Sequence, residues 1–180
     1  MSDKQPDRRP AKTRKSLGAA LYQLMQQTAW DDITIKQVCD EANVARSSFY
    51  AHFDGKLDLL EAMIDGNLKA ARAECLEPAS PQALLIWLID HVSENRTLFF
   101  RVAAANAASP VMNRFRTAFL VQFMQELRAA GHDVPEYSAA FVVGGTFEAL
   151  QSWAKSWRRE TLPDLKSDVA RMMQMMLAER

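Results

Sequence analysis

Apolar positions along this chain recur at helical spacing. Leu17, Ala20, Leu21, Leu24 and Met25 fall at i, i+3, i+4, i+7 and i+8, which predicts a first helix over about 13–28. Thr34-x-x-Gln37 fits a capping box at the start of a second helix, whose apolar stripe is Ile35, Val38, Cys39 and Ala42. Asn43 follows, a residue that tolerates the left-handed conformation of a tight turn. A short third helix is predicted over about 45–52, and Asp54-Gly55 breaks the chain after it. A fourth runs from about 56 to 75, with Leu57, Leu60, Ile64, Leu68 and Ala71 on one face.

The remainder is predicted to be helical too. Ser80-Pro81 and Ser109-Pro110 are start signals, Ser as the cap and Pro in the first turn. Thr97 opens a helix to about 107, and Gly131 stops the one over 110–129. Pro135 opens a long helix to about 159, and Pro163 the last, to about 178. The pattern gives nine helices and an all-α fold.

Composition agrees. Gly (6) and Pro (7) are scarce, and helix formers dominate. The 180 residues are 48% apolar and 24% charged, which excludes wholesale disorder. The longest clear apolar run, Ala83–Ile89, falls short of the ~20 residues that cross a bilayer. The charged N-terminus has no apolar core, so it does not resemble a signal peptide. Two cysteines, Cys39 and Cys75, make no disulfide framework, and the simplest compartment is a reducing cytoplasm. Cys39 lies on the apolar stripe and reads as core rather than nucleophile.

Equal totals of 22 basic and 22 acidic residues hide an asymmetry. Residues 1–30 hold Lys4, Arg8, Arg9, Lys12, Arg14 and Lys15 against only Asp3 and Asp7. That end is either a solvated tail or a surface for an anionic partner. Residues 1–11 read as a flexible basic arm.

Two short helices joined by a tight turn form a helix-turn-helix pattern over about 34–53. In such motifs the second helix enters the DNA major groove. Here it carries Arg46, Ser47, Ser48 and Tyr50. Arg can pair with a guanine edge, and Ser, Tyr and His with phosphates or bases. Thr34, Tyr50, His52 and Lys56 are expected to form a phosphate clamp, helped by helix N-termini, and Lys36 belongs to the same DNA-binding set. The competing interpretation is a small bundle whose polar side is merely solvated.

The stretch Ile33–Phe53, above all Phe49-Tyr50-x-His52-Phe53-x-x-Lys56 followed by Leu59-Leu60, resembles the TetR family of transcriptional regulators. The match covers about residues 12–65. There are departures: Asn43 stands where that family usually has Gly, Ala45 where it has Ser, and Ser47 where it has Gly. Ala45 cannot cap the reading helix, at a cost of about 1 kcal/mol. The resemblance implies a DNA-binding domain over 12–65 and a ligand-binding and dimerisation domain over 66–180. It also implies a homodimer on a palindromic operator, and a small effector that changes the spacing of the two reading heads. Most such proteins repress.

In the C-terminal part, Phe147, Leu150, Ala154 and Trp157 share a face of the eighth helix; Leu165, Val169, Met172, Met173 and Met176 share one on the ninth. Such helices pack on each other or on a symmetry mate. The residues expected at a dimer interface are Leu150, Trp153, Trp157, Val169, Met172, Met173 and Met176. Gly144-Gly145 is no phosphate loop; within a helix it permits close helix approach. Trp87, Phe99, Phe100, Phe115, Phe119, Phe123 and Phe147 are either plain core or the lining of a pocket for an apolar or aromatic effector.

Nothing in the chain suggests catalysis. His52, His91 and His132 are far apart, and His-Glu-x-x-His, Cys-x-x-Cys, Gly-x-Ser-x-Gly and Walker patterns are missing. No metal or cofactor is expected. The rival to a regulator is a helical small-molecule-binding or interaction module whose helix-turn-helix has lost affinity for DNA.

Overall fold

The computed structural model describes residues 8–74, 80–105, 110–155 and 162–178. Among them lie nine α-helices, one turn of 3-10 helix and no strand. They divide into two compact units, residues 1–63 and 64–180. No described helix is long and apolar enough to cross a membrane.

The first unit holds α1 (Arg8–Gln27), the 3-10 turn (Trp30–Asp32), α2 (Ile35–Ala42), α3 (Arg46–Tyr50) and the start of α4 (Lys56–Glu74). α1 begins earlier than its apolar stripe predicts, so residues 8–11, expected in an arm, are helical. Pro10 is no obstacle, because the first turn needs no intrahelical N–H donor. The rest of the expected arm lies outside the described residues.

Leu17, Ala20, Leu21 and Met25 of α1 form one wall of a core completed by Ile33, Val38, Cys39, Phe49, Phe53, Leu59 and Leu60. Phe49 is fully buried and packs obliquely against Phe53, ring centroids 5.8 Å apart. It therefore anchors α3, which at five residues is too short to be stable by itself. Gly18 allows α1 to lie close: a Cβ there would meet the Met63 side chain at 3.3 Å.

The second unit holds the remainder of α4 with α5 (Pro81–Glu94), α6 (Arg96–Ala105), α7 (Pro110–Ala129), α8 (Glu136–Lys155) and α9 (Leu162–Ala178). Its punctuation follows the sequence. Ser80 caps α5 by accepting the Ala83 N–H at 3.1 Å, with Pro81 in the first turn. Gly131 (φ +80°) ends α7, and the His132 N–H reaches back to Leu127 O at 2.8 Å.

α8 is the hub of this unit, packing against α5, α6, α7 and α9. The core is rich in large side chains, with Leu84, Leu85, Leu88, Ile89, Phe119, Phe123, Leu127, Phe147 and Leu150 all fully buried. Among the described residues one charged side chain lies within it: Glu126 of α7 accepts from Arg72 Nε at 3.2 Å and from Gln122 at 2.9 Å.

Candidate nucleic-acid interface and aromatic cluster

The helix-turn-helix is built from local chemistry. The Thr34 N–H donates to Gln37 Oε1 at 2.8 Å, and the Gln37 N–H donates to Thr34 Oγ1 at 3.2 Å, closing the capping box of α2. At the other end Asn43 adopts the left-handed conformation (φ 51°, ψ 49°), and the Val44 N–H returns to Cys39 O at 2.9 Å. This reverses the chain within three residues and starts α3 at Arg46.

Ala45 caps α3 with no side-chain hydrogen bond. The first N–H groups of the helix are thus left for solvent or for a phosphate.

The expected DNA-binding residues separate by exposure. Arg46, Ser47 and Tyr50 of α3 are exposed, as are Thr34 and Lys36 beside them; Ser48 and His52 are half-buried. Tyr50 is 53% exposed beside the fully buried Phe49, whose ring meets it edge-on at 5.4 Å. Phe49 therefore points α3's polar side outward. Lys36 pairs with Asp40 at 3.3 Å. Both ends are well exposed, so the pair holds weakly and leaves the ammonium available to another anion. The Thr34 hydroxyl donates to Gln37 Oε1 at 2.8 Å, so its first task is capping.

Lys56 departs from the expectation. Its Nζ donates to Trp30 O and, at 2.7 Å, to Ile33 O, and lies 4.3 Å from the centroid of the Trp30 ring. Burial pushes the ammonium below the ordinary lysine range, while Asp31 and Asp32 pull it back up. Lys56 thus ties the start of α4 to the α1–α2 connection instead of extending toward a phosphate. On the same unit the Arg14 guanidinium covers the Phe53 ring at 5.3 Å.

Cys39 is buried, and burial raises its thiol's pKa, Arg46 opposing and Asp40 assisting. A thiol kept protonated is a poor nucleophile.

In the second unit four of the expected pocket residues come together, with two more, His91 and Arg116, that the sequence did not single out as pocket residues. Phe147 of α8 meets Phe115 at 5.6 Å and Phe119 at 5.9 Å, both edge-on. Phe115 approaches His91 at 6.5 Å, and His91 stacks on Trp87 at 4.7 Å. Arg116 lies over the Phe147 ring at 5.5 Å. Phe99 and Phe123 are buried and Phe100 is exposed; none of the three makes a ring contact with this cluster among the described residues. Sequence reasoning missed His91 and Arg116. The i, i+4 spacing of Trp87 and His91 was the available signal for His91.

The expected dimer-interface residues largely face inward. Leu150 and Trp153 of α8 and Val169 and Met173 of α9 are buried within one chain, where α8 packs against α5, α6, α7 and α9. Met172 is exposed and Met176 half-buried, and Trp157 lies outside the described residues. The outward apolar side consists of Tyr137 (76% exposed) and Phe141 (78%) on α8, with Met172 and Met175 on α9. Gly144 and Gly145 are also exposed, and a Cβ at either would meet nothing within 4 Å. Among the described residues no group of three or more His, Cys, Asp or Glu could hold a metal.

Comparison with known proteins agrees with this arrangement. A family model described as bacterial regulatory proteins, tetR family, matches residues 18–63. An uncharacterized HTH-type transcriptional regulator of Bacillus subtilis (strain 168), YxbF, is 25% identical over 154 residues, 84% of this chain. The chain spans only 34% of that relative's length. A TetR transcriptional regulator from Streptococcus agalactiae 2603V superposes with a TM-score of 0.66 at 24% identity, over 92% of this chain and 96% of its own. A TetR transcriptional regulator from Rhodococcus sp. RHA1 gives 0.64 at 21% identity, over 93% and 97%. The chain is thus similar to bacterial regulatory proteins of the tetR family over residues 18–63, and it shares the fold of TetR transcriptional regulators over nearly its whole length.

Proposed function

We propose that the protein is a repressor that binds a palindromic operator as a homodimer and is released by a small apolar or aromatic effector. The observation that carries the reading is the exposed row Arg46, Ser47 and Tyr50 on a helix anchored by buried Phe49. Arg46 reads a guanine edge, and the serines, Tyr50, His52 and Lys36 contact phosphates or bases. Thr34 and Lys56 serve the same surface by holding α2 and the start of α4 in place.

Dimer contacts fall to Tyr137, Phe141, Met172 and Met175, exposed on two helices of one unit. Gly144-Gly145, open on the same helix, lets a second copy approach closely. The aromatic cluster around Phe147 receives the effector. Effector and operator then oppose each other reciprocally through the spacing of two heads.

The test is affinity for the DNA upstream of the protein's own gene, against scrambled DNA, across salt concentrations. Sequence-selective binding by a dimer, falling steeply with salt, supports the reading. Weak and equal binding to all DNA tested, the protein's other upstream regions included, overturns it in favour of a ligand-binding module.

A further inference from the structure

We propose that the effector is a small aromatic carboxylate, its anion held by Arg116 and its ring by Trp87, His91, Phe115 and Phe147. The inference rests on the effector reading above and adds its chemical class.

Three ion pairs are seen among the described residues of the second unit. Glu126 has Arg72, Asp90 has Lys166, and Asp168 has Arg171. Arg116 stands apart. Its Nε is buried without a hydrogen-bond partner, and its one described contact is the face of Phe147 at 5.5 Å. No ion pair to it exists among the described residues. A guanidinium keeps its charge at all physiological pH values, and a buried N–H without an acceptor is unfavourable. The residue as a whole is only half-buried, so part of the side chain other than Nε is open to solvent.

The surroundings define the rest of the ligand. Phe119 and Phe147 are fully buried and form a floor. Trp87, His91 and Phe115 are half-buried, as is Arg116. Ring contacts run without a gap from the guanidinium through Phe147 and Phe115 to His91 and Trp87. Such a surface accepts a flat ring edge-on or offset-stacked. A single planar fork of N–H donors matches a carboxylate in two parallel hydrogen bonds. One guanidinium suits one negative charge.

Calorimetric titration of the full-length protein tests this with benzoate, phenylacetate and indole-3-acetate as probes. Their neutral amides and acetate serve as controls. At least one acid is expected to bind about tenfold or more tighter than its amide, with acetate silent. Arg116→Gln should erase the difference between acid and amide, while Arg114→Gln on the exposed neighbour leaves it unchanged. If Arg116→Gln fails to fold, Arg116→Lys serves instead: it keeps the charge, loses the fork, and should narrow the difference. Equal binding of acid and amide, an undiminished preference in the Arg116 variant, or no binding by any acid overturns the proposal. Operator affinity measured in the same samples separates the two claims. Selective DNA binding with no acid bound overturns the ligand class alone. An acid that binds through Arg116 without weakening DNA binding supports the ligand class and overturns the cluster's regulatory role.

Discussion

The two units carry their candidate chemistry in opposite ways. In the first, Arg46, Ser47 and Tyr50 lie within five consecutive residues, exposed, on a helix that one buried ring holds in place. In the second, Trp87, His91, Phe115, Arg116, Phe119 and Phe147 come from three helices, and each is at least half-buried. A surface that reads a polymer needs its polar groups in solvent, in register along one short helix. A surface that takes up a small molecule needs rings converging from several directions. The difference teaches that the first kind of site is a property of a segment and the second a property of packing.

The sharpest way to break this comparison is Phe49→Ala. Removing a fully buried ring should cost the first unit about 3–5 kcal/mol. Hydrogen exchange should show the loss in amides of residues 8–63 and leave those of α7 and α8 protected. Equal loss in both would mean that the units do not behave separately.

Next in size is Lys56→Met. It removes the ammonium from both carbonyls, leaving Trp30 O only the Ile33 N–H, at about 1–3 kcal/mol, read from the denaturation midpoint. The slope of log affinity for DNA against log salt should stay unchanged. A slope smaller by about 1 would return Lys56 to the phosphate-contacting set.

Arg46→Ala should weaken selective DNA binding by about 1–3 kcal/mol while leaving the unfolding midpoint in place. A fall in the midpoint would show that Arg46 also supports the fold.

The smallest effect is a gain. Ala45→Ser supplies the cap that α3 lacks and should stabilise the first unit by about 0.5–1 kcal/mol in chemical denaturation. No gain would mean that the N–H groups of α3 are already satisfied.

The sequence was most legible where structure is local. The capping box of Thr34 and Gln37, the turn at Asn43, the start at Ser80-Pro81 and the stop at Gly131 each depend on residues three or four apart. Each could be placed from propensity alone. The start of α1 was harder, because Pro10 suggests an arm yet suits a first turn equally well.

Direction was legible less often. Lys56 opens a helix in a family pattern, and nothing in its neighbours reveals that its ammonium turns back to two carbonyls more than twenty residues earlier. Leu150 and Trp153 belong to an amphipathic face whether that face meets α9 or a second chain. Four helices pack around α8 within this chain and bury both residues, and no periodicity contains them. Arg116 is one arginine among many until Phe147 is placed beneath it.

The Lys56 tie also has a mechanical meaning. A helix start that merely abuts its neighbours can slide, and displacement there dissipates in slack. Here one side chain grips both sides of the 3-10 turn, the carbonyls of Trp30 and Ile33, while stacking its charge on the Trp30 ring. The segment after that turn is the first helix of the reading motif. A displacement of the first turn of α4 must therefore either break two hydrogen bonds and a ring contact or carry the start of α2 with it.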